Sequence, residues 1–165
     1  MIGTLLYWAY QPSNIMQETM TVKNSVLIEA TPSAVWDALT NPVQTKKYMF
    51  GCEALSGWKK NDPLIWKGIF NGKELVAVKG HIVDIQKYRF LAYTVFDPNS
   101  TIEDKPENYT TVTYSLTASG GFTVLEVTQG DFSKVAEGER RFREVAEAGG
   151  WEPILKEIKK LVENG

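Results

Sequence analysis

"GGWEPILKEIKKLVENG", Gly149 to Gly165, sets two glycines in front of a tryptophan and then runs as a helix. From Trp151 the apolar residues are Trp151, Ile154, Leu155, Ile158, Leu161 and Val162. They fall at i, i+3, i+4 and i+7, the spacing of one buried helical face. Glu152, Lys156, Glu157, Lys159, Lys160 and Glu163 take the opposite face. The helical period begins further back, at Ser133, so Gly149-Gly150 predicts a kink or a break inside a long C-terminal helical region.

A one-faced helix needs a surface to cover, and the upstream sequence supplies strands. "LIWKGIF" (Leu64–Phe70) is followed by the hairpin dipeptide Asn71-Gly72. Glu74–Ile85, a turn at Gln86-Lys87 and Tyr88–Phe96 come next. Asp97–Asn108 is polar, carries two prolines and reads as a loop. Tyr109–Leu116 and Phe122–Gln129 make a hairpin around Ala118–Gly121. Ahead of this meander, Val22–Ala30 alternates as a first strand. Thr31 is then a good N-cap with Pro32 in the first helical position, and Val35, Trp36 and Leu39 share a face. Asn41-Pro42 repeats the signal, so a second short helix is expected from Pro42 to about Met49. Strands with segregated helices define an α+β domain. The antiparallel sheet buries one face, and the terminal helix is the element large enough to cover it.

A chain of 165 residues suits one domain and can bury a core without metal or disulfide staples. Its formal net charge is −2, with acids and bases interspersed and no basic stripe. Nucleic acid and anionic membrane surfaces are therefore not expected partners. Cys52 is the only cysteine, which excludes an internal disulfide and suits a reducing, cytoplasmic compartment. His81 is the only histidine, so a Ser–His–Asp or Cys–His site would have to use it and a zinc site would need other ligands. No cofactor and no metal is implied. Ile2–Tyr10 is apolar but too short to span a bilayer, which takes about 20 residues. It also has no basic residue before it, as a signal peptide would. Residues 1–20 read as an appendage, an over-extended start or a flexible tail, with a packing strand as the alternative. Residues 21–165 read as the domain.

This order of elements, with "IEATPSAVWDALTNP", "GHIVDIQKYRFLAYTV", "TTVTYSLTASGGFTVLEVTQGDF" and "GGWEPILKEIKKLVE", resembles the START-like, helix-grip (SRPBCC) superfamily. It is most similar to the family named for the activator of the heat-shock-protein-ninety ATPase, in its small stand-alone form. The resemblance covers residues 22–163. It implies a curved antiparallel sheet of about six or seven strands gripping the long C-terminal helix, with a cavity beneath the middle of that helix. The same superfamily hosts binders, carriers, cyclases, hydrolases and co-chaperones, so it bears on fold more than on function.

With the sheet curved, strand parity gives the inward residues. Leu64, Trp66, Gly68 and Phe70 are one set; Val76, Val78, Gly80 and Ile82 are the next, leaving Lys79 and His81 outside. Asp84 breaks that alternation and predicts a bulge. Val112, Tyr114, Leu116 and Thr123, Leu125, Val127 complete the inner face. The expected cavity lining is Trp66, Phe70, Val78, Tyr93, Val112, Tyr114 and Leu125 from the sheet, with Phe142, Trp151 and Leu155 from the helical region. Trp66, Tyr114, Phe142 and Trp151 serve equally as plain core, and Trp151 reads as an anchor for the helix. The face of Tyr93 after the bulge is open, but its hydroxyl suits orienting a ligand. Trp36 is expected in the core.

No catalytic residue emerges. Asp84, Glu74 and Glu126 would act as acid or base only if they entered the cavity, and Glu126 alternates outward. Arg140, Arg141 and Arg143 among glutamates read as a solvated helix face. The expected function is binding of a small hydrophobic ligand, with a chaperone-interaction module docking a chaperone ATPase as the alternative. A cyclase- or hydrolase-type enzyme ranks third. Monomer and homodimer both remain open.

Overall fold

The computed structural model describes residues 19–165. Most of the expected appendage, residues 1–18, lies outside the described residues. Met20 packs against the core, and its carbonyl accepts from Phe132 N at 2.9 Å.

Seven strands form one antiparallel sheet: β1 (Val22–Ile28), β2 (Glu53–Ser56), β3 (Pro63–Phe70), β4 (Lys73–Gln86), β5 (Phe90–Val95), β6 (Thr110–Ser119) and β7 (Phe122–Gly130). Their order across the sheet is β1-β7-β6-β5-β4-β3-β2. The first two strands of the described residues thus end up on opposite edges. The two short helices between them, α1 (Pro32–Thr40) and α2 (Pro42–Tyr48), carry the chain from one edge to the other. Both are capped as their sequence requires. Thr31 Oγ1 accepts from Ala34 N at 3.3 Å. Asn41 closes α1 through its N–H to Asp37 O and opens α2 by accepting from Val43 N at 3.0 Å. Four-residue β2 is too short to announce itself by alternation, which is why the sequence did not single it out.

Curvature is built into β4. Its first half pairs with β3 and its second half with β5. Two register shifts bend it. One sits between Ile82 and Asp84, where a bulge was expected. The other lies opposite the Trp66–Lys67 step and inserts Ala77 as the extra residue. That second bulge corrects the parity reading: Val76 pairs with outward-facing Lys67, whereas Val78 pairs with inward-facing Trp66. Gly80 lies where β4 crosses closest to β5. A Cβ there would sit 1.7 Å from Thr94 O, so only glycine allows the approach.

The C-terminal region is two helices, α3 (Gly138–Glu147) and α4 (Glu152–Asn164), separated at the two glycines as the sequence predicts. α4 packs against β1, α1 and α2. Trp151, Leu155 and Ile158 are buried, and Ile154, Leu161 and Val162 flank them against the core. The inward residues Leu64, Trp66, Ile82, Val112, Tyr114, Leu116, Thr123, Leu125 and Val127 are all buried beneath this helix and its neighbours, as is Trp36. The result is an α+β helix-grip fold, with a bent sheet closed round the terminal helix.

Candidate ligand cavity

The bent sheet and the break between α3 and α4 enclose a cavity of about 610 Å³, inside the ~300–1,000 Å³ typical of small-molecule sites. Its roof is the break itself. Val145, Ala148 and Gly150 line it together with Trp151, Pro153 and Ile154 from the start of α4. The reason is local: two consecutive glycines carry no side chains to fill the space. Both have positive φ, +90° and +62°, which turns the chain sharply between the helices. The sheet forms the floor, with Trp66, Phe70, Val78, Tyr93 and Val112. Met49, Phe50 and Cys52, between α2 and β2, close one end. Phe50 is 78% exposed there, with φ +53°.

Six of the ten residues expected to line a cavity therefore do so: Trp66, Phe70, Val78, Tyr93, Val112 and Trp151. The other four are elsewhere. Tyr114 lies behind Tyr93, with Trp151 edge-on to its ring at 5.9 Å. Leu125 and Leu155 are fully packed core, because the cavity is under the start of α4 rather than its middle. Phe142 turns to Phe132, ring centroids 5.8 Å apart. Several wall residues were not foreseen. Gln129 had a signal, being the next inward position after Thr123, Leu125 and Val127. Ala77 had none, since it reaches the wall only through the bulge.

The wall has few polar side chains, and two of them make hydrogen bonds within the protein. Gln129 Oε1 accepts from Trp151 Nε1 at 3.0 Å, and its Nε2 donates to Thr110 Oγ1 at 3.2 Å. Glu144 Oε1 accepts from Arg140 at 2.7 Å. Burial pushes the Cys52 thiol up, so it stays protonated at neutral pH and acts as a small apolar wall element. In the floor and beneath it, burial raises the phenols of Tyr93 and of Tyr48 and Tyr114. Tyr48 OH donates to Ala38 O at 2.7 Å, and the Tyr93 and Tyr114 hydroxyls are 3.1 Å apart.

The carboxylates considered as acid or base stay out of the cavity. Glu126 pairs with Lys23 at 3.5 Å and Glu74 with Lys67 at 2.6 Å. Asp84 accepts from Ile85 N at 2.9 Å. Lys79 pairs with Asp104, which also accepts from Tyr109 OH at 2.6 Å; together they hold the Asp104 carboxyl below its usual range. His81 is exposed, with Nδ1 3.0 Å from Thr94 Oγ1. Among the described residues no three His, Cys, Asp or Glu side chains gather as metal ligands. One basic residue departs from the solvated face expected of it: Arg141 is half-buried and donates to Asn108 O at 3.0 Å and Ala136 O at 3.4 Å. Arg140 is the exposed partner of Glu137 and Glu144. No described helix is long and apolar enough to cross a membrane.

Sheet, gripped helix and cavity together define a START-like helix-grip protein. The family model described as Activator of Hsp90 ATPase homolog 1-like protein matches residues 29–163, and the chain belongs to that family. The solution structure of ChR145 from Cytophaga hutchinsonii is 33% identical, with a TM-score of 0.67 over 87% of this chain and 94% of that one. An HSP90 activator from Plasmodium falciparum is 17% identical, with a TM-score of 0.54 over 68% of this chain and 73% of its own. NE0264 from Nitrosomonas europaea is 12% identical, with a TM-score of 0.68 over 89% and 96%. At such identities the last two speak for fold alone. Among curated proteins none matches the sequence.

Proposed function

We propose that this protein binds a small hydrophobic molecule in the cavity between the bent sheet and the α3–α4 break. The observation that carries the reading is an apolar space of about 610 Å³ with few polar wall groups, of which Glu144 and the Gln129 amide oxygen are bonded within the protein. Affinity then comes from apolar surface removed from water, about 25 cal/mol per Å² before the cost of association. The reading has the protein act in the cytoplasm, as a monomer or homodimer, with the residues ahead of Met20 outside the binding domain. The test is direct. Purified protein, extracted with organic solvent and examined by native mass spectrometry, releases a small apolar compound. Stripped protein raises the fluorescence of N-phenylnaphthylamine and loses it to competitors. Protein that neither carries nor takes up any apolar compound overturns the reading.

The family description supports a second reading, docking to a heat-shock ATPase. The exposed Phe50 and Ile69 would be natural contacts. Stimulation of such an ATPase by this protein, lost on Phe50→Ser with Ile69→Ser, favours this reading over the first.

A further inference from the structure

Tyr93 on β5 and Tyr114 on β6 face each other with ring centroids 5.8 Å apart and hydroxyl oxygens 3.1 Å apart. They are 2% and 1% exposed. Two hydroxyls carry two protons, and a single contact between two oxygens uses one of them. The second proton has no acceptor among the described residues. Tyr48, the third buried phenol nearby, donates its own proton to Ala38 O and makes no hydrogen bond to either tyrosine. Burial keeps all these phenols protonated at neutral pH, so the surplus proton is not shed.

We infer that Tyr114 donates to Tyr93, that the surplus proton is the one on Tyr93, and that the cavity takes a neutral molecule carrying a hydrogen-bond acceptor such as a ketone, ester or ether oxygen. This deepens the ligand-binding reading and rests on it. The assignment follows from position. Tyr93 is on the cavity wall, whereas Tyr114 is behind it, covered by Tyr93 and by the edge of Trp151. A spare proton on Tyr114 would be sealed in with nothing to accept it. On Tyr93 it meets whatever fills the cavity. Of the other wall side chains, Glu144 has no proton to donate, and Gln129 spends its Oε1 on Trp151 and one Nε2 proton on Thr110. Its second Nε2 proton is the competing donor, and the Tyr93→Phe comparison separates the two. A carboxylate ligand is disfavoured, since no cation on the floor would offset its loss of water.

Two probes with the same heavy-atom framework test this: decan-2-one, and 2-methyldecane, which has a methyl group in place of the oxygen. Each displaces N-phenylnaphthylamine from the wild type, Tyr93→Phe and Tyr114→Phe. The ketone-to-alkane affinity ratio falls about tenfold in Tyr93→Phe and stays within about threefold of wild type in Tyr114→Phe. A ratio equal in all three proteins, or lowered equally by both substitutions, overturns the assignment while leaving the cavity reading intact. If neither probe nor dye binds the wild type, both fall together. A second readout needs no variant. The carbonyl stretch of bound decan-2-one moves to lower frequency than in alkane solvent; an unshifted band overturns the proposal.

Discussion

Trp151 and Gln129 are joined by a 3.0 Å hydrogen bond, the indole Nε1 donating to the amide Oε1. The main-chain N of Trp151 donates to Asn24 Oδ1 at 2.9 Å. The residue that starts the terminal helix is thus tied to β7 by its side chain and to β1 by its backbone. Gln129→Leu keeps the bulk and leaves a buried indole N–H without an acceptor, at a cost of about 1–3 kcal/mol. Urea denaturation followed by tryptophan fluorescence measures it. An unchanged midpoint means the tie does not hold the helix.

The two glycines ahead of Trp151 are not equivalent. Both have positive φ, so alanine at either position carries the left-handed cost of about 1–2 kcal/mol. At Gly149 the added Cβ meets only Pro153, at 3.4 Å. At Gly150 it would lie 2.6 Å from Asn24 Oδ1 and 2.9 Å from Val22 Cγ1, displacing the atom that holds Trp151 N. Gly150→Ala is expected to destabilise more than Gly149→Ala by about 1 kcal/mol or more. Equal thermal midpoints for the two variants contradict this.

The tandem helices, the meander and the broken terminal helix were legible because each rests on a short-range pattern: Thr31-Pro32, Asn41-Pro42, Asn71-Gly72, Gly149-Gly150. The cavity was legible only in part, and for a physical reason. Period-two alternation reports which face of a sheet a residue occupies, not how deep it lies. Tyr93 and Tyr114 share the inner face, yet one meets the cavity and the other meets Tyr93 and Trp151. Alternation also fails at a bulge, where Ala77 and Val78 both reach the wall and Val76 is turned outward. The helical spacing marked Leu155 as buried, but whether it meets the cavity depends on where the helix starts, and it lies in packed core instead.

Alkaline pH should weaken the fold once it passes the ordinary phenol range. Burial holds the phenols of Tyr48, Tyr93 and Tyr114 above their ordinary value near 10. The unfolded chain releases those protons near pH 10, while the folded chain retains them. Their contribution is therefore complete below about pH 10 and is lost as pH rises beyond it. The slope is up to about 1.4 kcal/mol per pH unit for each phenol. Denaturant midpoints should be level through neutrality and fall steeply above about pH 10, with the absorbance of these three tyrosinates appearing together with unfolding. Gradual ionisation of all tyrosines without loss of structure contradicts the buried phenol cluster.

Blocking the cavity and overfilling the core are separable by two tryptophan substitutions. Ala148 is exposed, caps α3 and lines the roof of the cavity. Ala148→Trp adds an indole at the entrance without entering the packed core, so stability changes by no more than about 0.5 kcal/mol, as for other surface sites. Uptake of N-phenylnaphthylamine should nevertheless be lost. Tyr114→Trp adds volume where Tyr93, Trp151 and the sheet already meet. It should cost about 1–3 kcal/mol by overpacking and leave the entrance clear. Titrating the dye into both variants, alongside their urea midpoints, gives opposite signatures: binding lost with stability kept in one, stability lost with the entrance still open in the other. If Ala148→Trp binds the dye as the wild type does, the dye does not enter beneath the α3–α4 break.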